Sequence, residues 1–125
     1  MNPVKIGLLG LGTVGAGTVN VLTRNASEIT RRAGREIRIV HASARDIIKP
    51  RNCPVDDIRL TLDPFAVVND PDIEVVVELI GGNEPARELV MRAIANGKHV
   101  VTANKALIAV HGNEIFAAAQ KHGVM

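Results

Sequence analysis

Val4-Lys-Ile-Gly-Leu-Leu-Gly-Leu-Gly-Thr-Val-Gly15 is the stretch on which the reading of this chain turns. The apolar run from Val4 to Leu9 reads as a strand buried on both faces. It ends in Gly10-Leu11-Gly12-Thr13-Val14-Gly15, a G-x-G-x-x-G, and a helical pattern follows. A glycine-rich turn between a buried strand and a helix is a cradle for phosphate. Gly10 permits the tight turn, Gly12 lets a pyrophosphate approach the backbone, and Gly15 lets the helix pack close to the strand. The free N–H groups of the helix N-terminus then face the anion. The bare motif is weak because glycine is common; its place between strand and helix makes it specific.

Working outward, the helix carries an apolar stripe through Val14, Thr18, Val21, Leu22 and Ile29, with Thr13 as N-cap and Gly34 as the stop after Arg31 and Arg32. A second strand is expected over Glu36–Ala42. Irregular surface chain follows, with Lys49, Pro50, Arg51 and Pro54. Asp63-Pro64 is a helix start, cap then first helical position, for a short helix ending near Asn69. Ile73–Ile80, centred on three consecutive valines, suits the middle of a parallel sheet. Gly81-Gly82 ends it. A helix capped by Asn83 or Glu84 then buries Ala86, Leu89, Val90, Ala93 and Ile94 and stops at Gly97. Lys98–Thr102 is a short fourth strand. Another helical region follows Asn104. It is expected to break near Gly112 and to resume over Glu114–His122 with Ile115, Phe116 and Ala119 inward. Val124-Met125 reads as the first step of a fifth strand.

Strands alternating with helices predict an α/β fold, a doubly wound parallel sheet of Rossmann type, over residues 1–125 as one dinucleotide-binding domain. Such a domain is expected to be the N-terminal part of a longer enzyme. Hydrophobic residues make up 46% of the 125, and with no Trp, no Tyr and two Phe the core must be aliphatic. A formal charge of +2 without a Lys/Arg stripe argues against nucleic acid. No apolar run approaches the roughly 20 residues of a membrane span, and no signal-peptide pattern is present. The lone Cys53 cannot form an internal disulfide, so a cytoplasmic location is expected, and this thiol reads as an ordinary loop residue. His41, His99, His111 and His122 lack metal-site spacing, so no metal is expected.

In this architecture ligands sit outside the carboxyl ends of the strands. Four such ends carry chemistry here: the glycine turn, Ser43-Ala-Arg45, Glu78-Leu-Ile-Gly-Gly82 and Thr102-Ala-Asn-Lys105. An acidic residue after the second strand would bond the ribose 2′-OH of NAD, whereas an arginine accommodates the 2′-phosphate of NADP. Arg45, with Lys49 and Arg51 behind it, favours NADP and leaves NAD open; the alternative is an arginine paired with the adjacent Asp46. Lys105 is expected to project toward the nicotinamide end, to hold a carboxylate or to help polarise a carbonyl; the alternative is a surface lysine in a first helical turn. Glu78 either accepts bonds from the nicotinamide ribose or caps a neighbouring loop.

Together these residues resemble the N-terminal nucleotide-binding domain of homoserine dehydrogenases. The resemblance rests on Gly7–Gly15, Arg45-Asp46, Glu78–Gly82 and above all Val101-Thr-Ala-Asn-Lys-Ala-Leu-Ile-Ala109. It implies an enzyme that interconverts L-homoserine and L-aspartate 4-semialdehyde with NAD(P)(H), on the route to threonine, methionine and isoleucine, as a dimer or higher oligomer. It places dinucleotide contacts on Gly10, Leu11, Gly12, Thr13, Val14, Gly15, Arg45, Glu78, Ile80, Gly81, Thr102, Ala103, Asn104 and Lys105, and catalysis on Lys105. Ala42-Ser43-Ala44 departs from the more aliphatic residues usual there. The substrate domain is expected beyond Met125, so these residues alone are expected to bind nucleotide without turnover. Two other readings share the first domain: a non-catalytic nucleotide sensor, and a related semialdehyde, dihydrodipicolinate or amino-acid dehydrogenase.

Overall fold

The computed structural model describes residues 4–11, 13–25, 28, 31, 34, 36–44, 58–80, 85–102 and 104–124. In chain order these form β1 (Val4–Leu9), α1 (Thr13–Arg24), β2 (Ile37–Ser43), β3 (Arg59–Thr61), α2 (Pro64–Val68), β4 (Val75–Glu78), α3 (Ala86–Ala95), β5 (His99–Thr102) and α4 (Lys105–His122). The strands make one sheet in the order β3-β2-β1-β4-β5, and every pairing is parallel. The chain therefore steps outward from β1 through β2 to β3, then crosses back to β4 on the other side of β1 and on to β5. That reversal beside β1 is where an open α/β sheet makes its ligand crevice.

Two apolar layers hold the sheet. On one face Ile6, Leu8, Ile39 and Ala42 pack with Val19 of α1. On the other, Leu9 and Val76 pack with Val67 and Val68 of α2 and with Leu89 and Ala93 of α3. α4 lies along α3, with Leu107 and Ile115 against Ala86, Val90 and Ile94. Leu8, Leu9, Leu89 and Leu107 are fully buried, each worth about 1.5–3 kcal/mol of transfer free energy.

Local signals explain several boundaries. The Asp63 carboxylate accepts from the Phe65 N–H at 3.0 Å, and Pro64 opens α2 as expected. Gly97 adopts φ +77 after α3, a conformation that disfavours side chains.

Other expectations are corrected. β3 was expected as irregular chain; its three residues pair with His41, Ala42 and Ser43. It supplies the fifth strand, whereas Val124 is not a strand residue: its N–H donates to the Ala119 carbonyl and its side chain packs on the α3–α4 cluster. α4 is continuous through Gly112, which is buried, so the expected break does not occur. A glycine costs a helix interior about 1 kcal/mol, which an 18-residue helix with both ends capped absorbs. Phe116 is 61% exposed, because the inward stripe runs through Leu107 and Ile115 and the next residue falls about 100° around the helix. In α1, Val19 rather than Val21 faces the core, and Thr13 is the first helical residue rather than the cap. α3 begins at Ala86 after Pro85 without a side-chain cap bond; the expected caps Asn83 and Glu84 lie outside the described residues. β2, β4 and β5 are each shifted or trimmed by one or two residues at their ends relative to expectation.

Candidate functional site

Because all five strands are parallel, their carboxyl ends share one edge. The register aligns them in a single row: Thr61 beside Ser43, Ser43 beside Leu9, Leu9 beside Glu78, and Glu78 beside Thr102. The glycine turn leaves this row at its centre. Gly10 has φ +96, and a Cβ there would lie 3.3 Å from the backbone nitrogen of Ile80 and from the carbonyl carbon of Leu79. The turn is thus pressed against the end of β4, and glycine is what lets it pass.

The donors of the turn are divided. The Gly10 and Leu11 N–H groups both donate to the Ser43 carbonyl, at 3.2 and 2.8 Å, and Gly10 also reaches Ser43 Oγ at 3.2 Å. Those two amides anchor the turn to β2. The groups that remain to meet an anion are the first-turn N–H groups of α1, which have no intrahelical acceptor. No acidic residue stands in that first turn, so nothing there opposes a phosphate. Ser43 is the residue that sequence reading undervalued; its buried hydroxyl ties the cradle to the second strand. The signal was a lone serine between two alanines at a strand end.

On the other side of β1, Glu78 is completely buried. Its Oε1 accepts from the Ile80 N–H at 2.8 Å and its Oε2 from the Thr102 hydroxyl at 2.7 Å. Of the two readings of Glu78, the loop-capping one is visible in this geometry. Thr102 Oγ1 in turn accepts from the Asn104 N–H at 3.0 Å, and Asn104 Oδ1 accepts from the Leu107 N–H at 3.0 Å, capping α4. Lys105 is therefore the first residue of a helix whose start is bonded back to β4. Gly12, Arg45, Gly81 and Ala103 lie outside the described residues, as do Asp46, Lys49, Arg51 and Cys53. Of Thr13, Val14, Gly15 and Lys105 the backbone alone is described.

A second polar cluster sits away from this edge. His41 Nδ1 lies 2.9 Å from Asp70 Oδ2, with the imidazole buried. Burial pushes the Asp70 carboxyl upward, but the Asp72 N–H, the bond and charge of His41 and the charge of Arg59 outweigh it and hold Asp70 below its ordinary value. Lys98 Nζ, also buried, donates to the carbonyls of Asp70 and Ile73 at 2.6 and 2.8 Å. Burial draws its pKa down, against the pull of Asp70 and Asp72. A concavity of about 540 Å³ beside Lys98, Glu74 and His99 opens at the amino ends of β4 and β5, opposite the glycine turn. Among the described residues no group of three His, Cys, Asp or Glu side chains is arranged to hold a metal, and no helix is long and apolar enough to cross a membrane.

A parallel sheet that reverses beside β1, a glycine turn running into a helix at that reversal, and an acid-free helix start define a dinucleotide-binding α/β domain of Rossmann type. Comparison with known proteins narrows this. The model of the family described as homoserine dehydrogenase, NAD binding domain, matches residues 10–125, and the chain belongs to that family. It is 60% identical over 126 residues to a homoserine dehydrogenase of Pseudomonas aeruginosa, the whole chain aligning with 28% of that protein. A solved homoserine dehydrogenase from Thiobacillus denitrificans superposes with a TM-score of 0.91 at 65% identity, over all of this chain and 29% of that one. One from S. aureus superposes with a TM-score of 0.91 at 39% identity, over 99% of this chain and 31% of that one. The chain thus spans less than a third of the length of these relatives.

Proposed function

We propose that this chain is the cofactor-binding portion of an enzyme that interconverts L-homoserine and L-aspartate 4-semialdehyde, in the biosynthesis of threonine, methionine and isoleucine. The observation that carries the reading is the coincidence of family membership with Thr102-Ala-Asn-Lys105 at the carboxyl end of β5, on the edge that also bears the glycine turn. A sensor would need only the turn. The substrate is a small molecule, and the complete enzyme is a cytoplasmic homo-oligomer.

A nicotinamide dinucleotide fits the residues present: the turn passes only glycine at position 10, and the α1 start is free of acids. The backbone from Gly12 to Gly15 would hold the pyrophosphate. Gly10 and Leu11 serve by anchoring the turn, Ile80 borders it just after β4, and Gly81 is assigned to the cofactor with them. Arg45 is assigned to the adenosine 2′-phosphate, which favours NADP over NAD. The bound cofactor supplies hydride chemistry at its nicotinamide ring. Asn104 caps α4 at the nicotinamide end, and Ala103 is assigned to the cofactor with it. The Lys105 ammonium is assigned to the substrate oxygen, where it stabilises developing charge or passes a proton.

The test is Lys105→Ala in the complete enzyme, assayed by NADPH absorbance with L-aspartate 4-semialdehyde and in reverse with L-homoserine. kcat should fall by about 10²–10⁴-fold, while NADPH affinity changes little. Lys105→Arg should not rescue, because a planar guanidinium does not replace a compact ammonium. A near-normal kcat with only a raised KM would reduce Lys105 to uniform binding of substrate.

A further inference from the structure

Glu78 is an expensive residue. A carboxylate with no exposed surface is retained only when its oxygens are bonded. Its two visible partners lie on different elements: the Ile80 N–H in the turn that leaves β4, and the Thr102 hydroxyl at the end of β5. Because Thr102 Oγ1 accepts from the Asn104 N–H, its own proton is free to go to Glu78. The direction of the chain is therefore set: Leu107 N–H to Asn104, Asn104 N–H to Thr102, Thr102 O–H to Glu78. The links join the end of β4, the end of β5 and the first turn of α4. Together they fix where α4 begins, and α4 begins with Lys105.

We propose that Glu78 and Thr102 are a positioning pair, which holds the backbone of the first residue of α4, Lys105, against the end of β4 for the role proposed above. This rests on the function proposed above. The pair acts through Lys105, so its loss should appear in the chemical step rather than in cofactor affinity. A misplacement of about 1 Å at a reacting group costs about 10²-fold in rate.

The experiment uses Thr102→Val, which deletes the hydroxyl at nearly constant volume, Thr102→Ser, which keeps it, and Glu78→Gln, which makes one acceptor a donor. In the complete enzyme Thr102→Val and Glu78→Gln should lower kcat by about 10–100-fold. Both side chains, expected above among the dinucleotide contacts, are bonded to each other, so NADPH dissociation constants, read by fluorescence titration, should change far less than kcat. Thr102→Ser should recover kcat to within about threefold, and the Glu78→Gln/Thr102→Val double variant should lose no more than the worse single, since both cut one chain. Three results would overturn the proposal. One is kcat unchanged in well-folded Thr102→Val. Another is cofactor affinity falling as far as kcat. The third is Thr102→Ser as impaired as Thr102→Val. If the parent enzyme does not oxidise homoserine at all, the proposed function fails by itself. Hydrogen exchange then decides the positioning: the Asn104 and Leu107 amides must lose protection in Thr102→Val and keep it in Thr102→Ser, and equal protection in the two refutes it.

Discussion

Replacing Gly10 by alanine separates the cradle from an ordinary turn. The backbone there sits at φ +96, and the new Cβ would meet the Ile80 nitrogen, the Leu79 carbonyl carbon and Ile80 Cγ1, each at 3.3 Å. Two of those atoms are backbone, and the Leu79 N–H is itself bonded to the Leu9 carbonyl at 2.9 Å, so the end of β4 is poorly placed to retreat. A non-glycine residue in such a region costs about 1–3 kcal/mol. Contacts tighter than normal add to that, so the loss should be about 2–3 kcal/mol. Gly17→Ala is the control. Gly17 lies inside α1 with nothing within 4 Å of its would-be Cβ, so the same added methyl should stabilise by about 0.5–1 kcal/mol. Urea unfolding followed by circular dichroism reads both, with m unchanged so that midpoints report stability. Titration with NADPH under folding conditions should show binding weakened in Gly10→Ala and retained in Gly17→Ala. If Gly10→Ala proved as stable as the parent and bound NADPH normally, the close approach of the turn to β4 would be wrong, and with it the cradle.

Three further outcomes follow from the same geometry. Arg45→Ala should weaken NADP binding by about 1.5–3 kcal/mol more than NAD binding; equal weakening by calorimetry would move the 2′-phosphate to Lys49 or Arg51. Asp70 titrates below its unfolded value, so its contribution is fully present above the unfolded pKa and is lost as pH falls below about 4. Asp70→Asn should flatten that acid limb of a stability–pH curve while lowering stability at pH 7. Lys98 also titrates below its unfolded value, and for a base this means stability rises with pH between its folded and unfolded pKa values. Lys98→Met should abolish that alkaline rise and cost about 1–3 kcal/mol at pH 7, because two carbonyls lose their donor; an unchanged urea midpoint would show that the ammonium contributes nothing.

The parts of this fold legible in the sequence were those written in local chemistry. Three valines in a row, a glycine turn and Asp63-Pro64 each state their structure within a few residues, and the order of strands and helices followed from them. What stayed hidden depends on distant partners. Arg59–Thr61 is too short to show a period of two, and it is a strand because Ser43 and its neighbours pair with it. In α4, Ile115 and Ala119 pack inward as expected, but Phe116, included for its bulk, falls about 100° further round and is exposed. At the site, Glu78 and Lys105 were visible as residue types at strand ends. The hydrogen-bonded chain between them was not, since it joins positions 24 apart in sequence. The anchoring of Gly10 to Ser43 was hidden for the same reason, since it joins positions 33 apart.

The central strand gives the domain a particular order of assembly. β1 leaves the ribosome first, but its neighbours arrive late: Val4 pairs with Ile37 and Ile6 with Val75. Pairings so distant are paid for in loop-closure entropy before they return anything, which makes such sheets slow to close. The glycine turn takes its shape from both sides, bonded to β2 through Ser43 and pressed against the end of β4. An intermediate lacking either strand therefore has no phosphate cradle. Nucleotide present during refolding would select the finished sheet by mass action and leave the intermediates untouched. It should slow unfolding without hastening folding, since the grip it needs is among the last contacts to form.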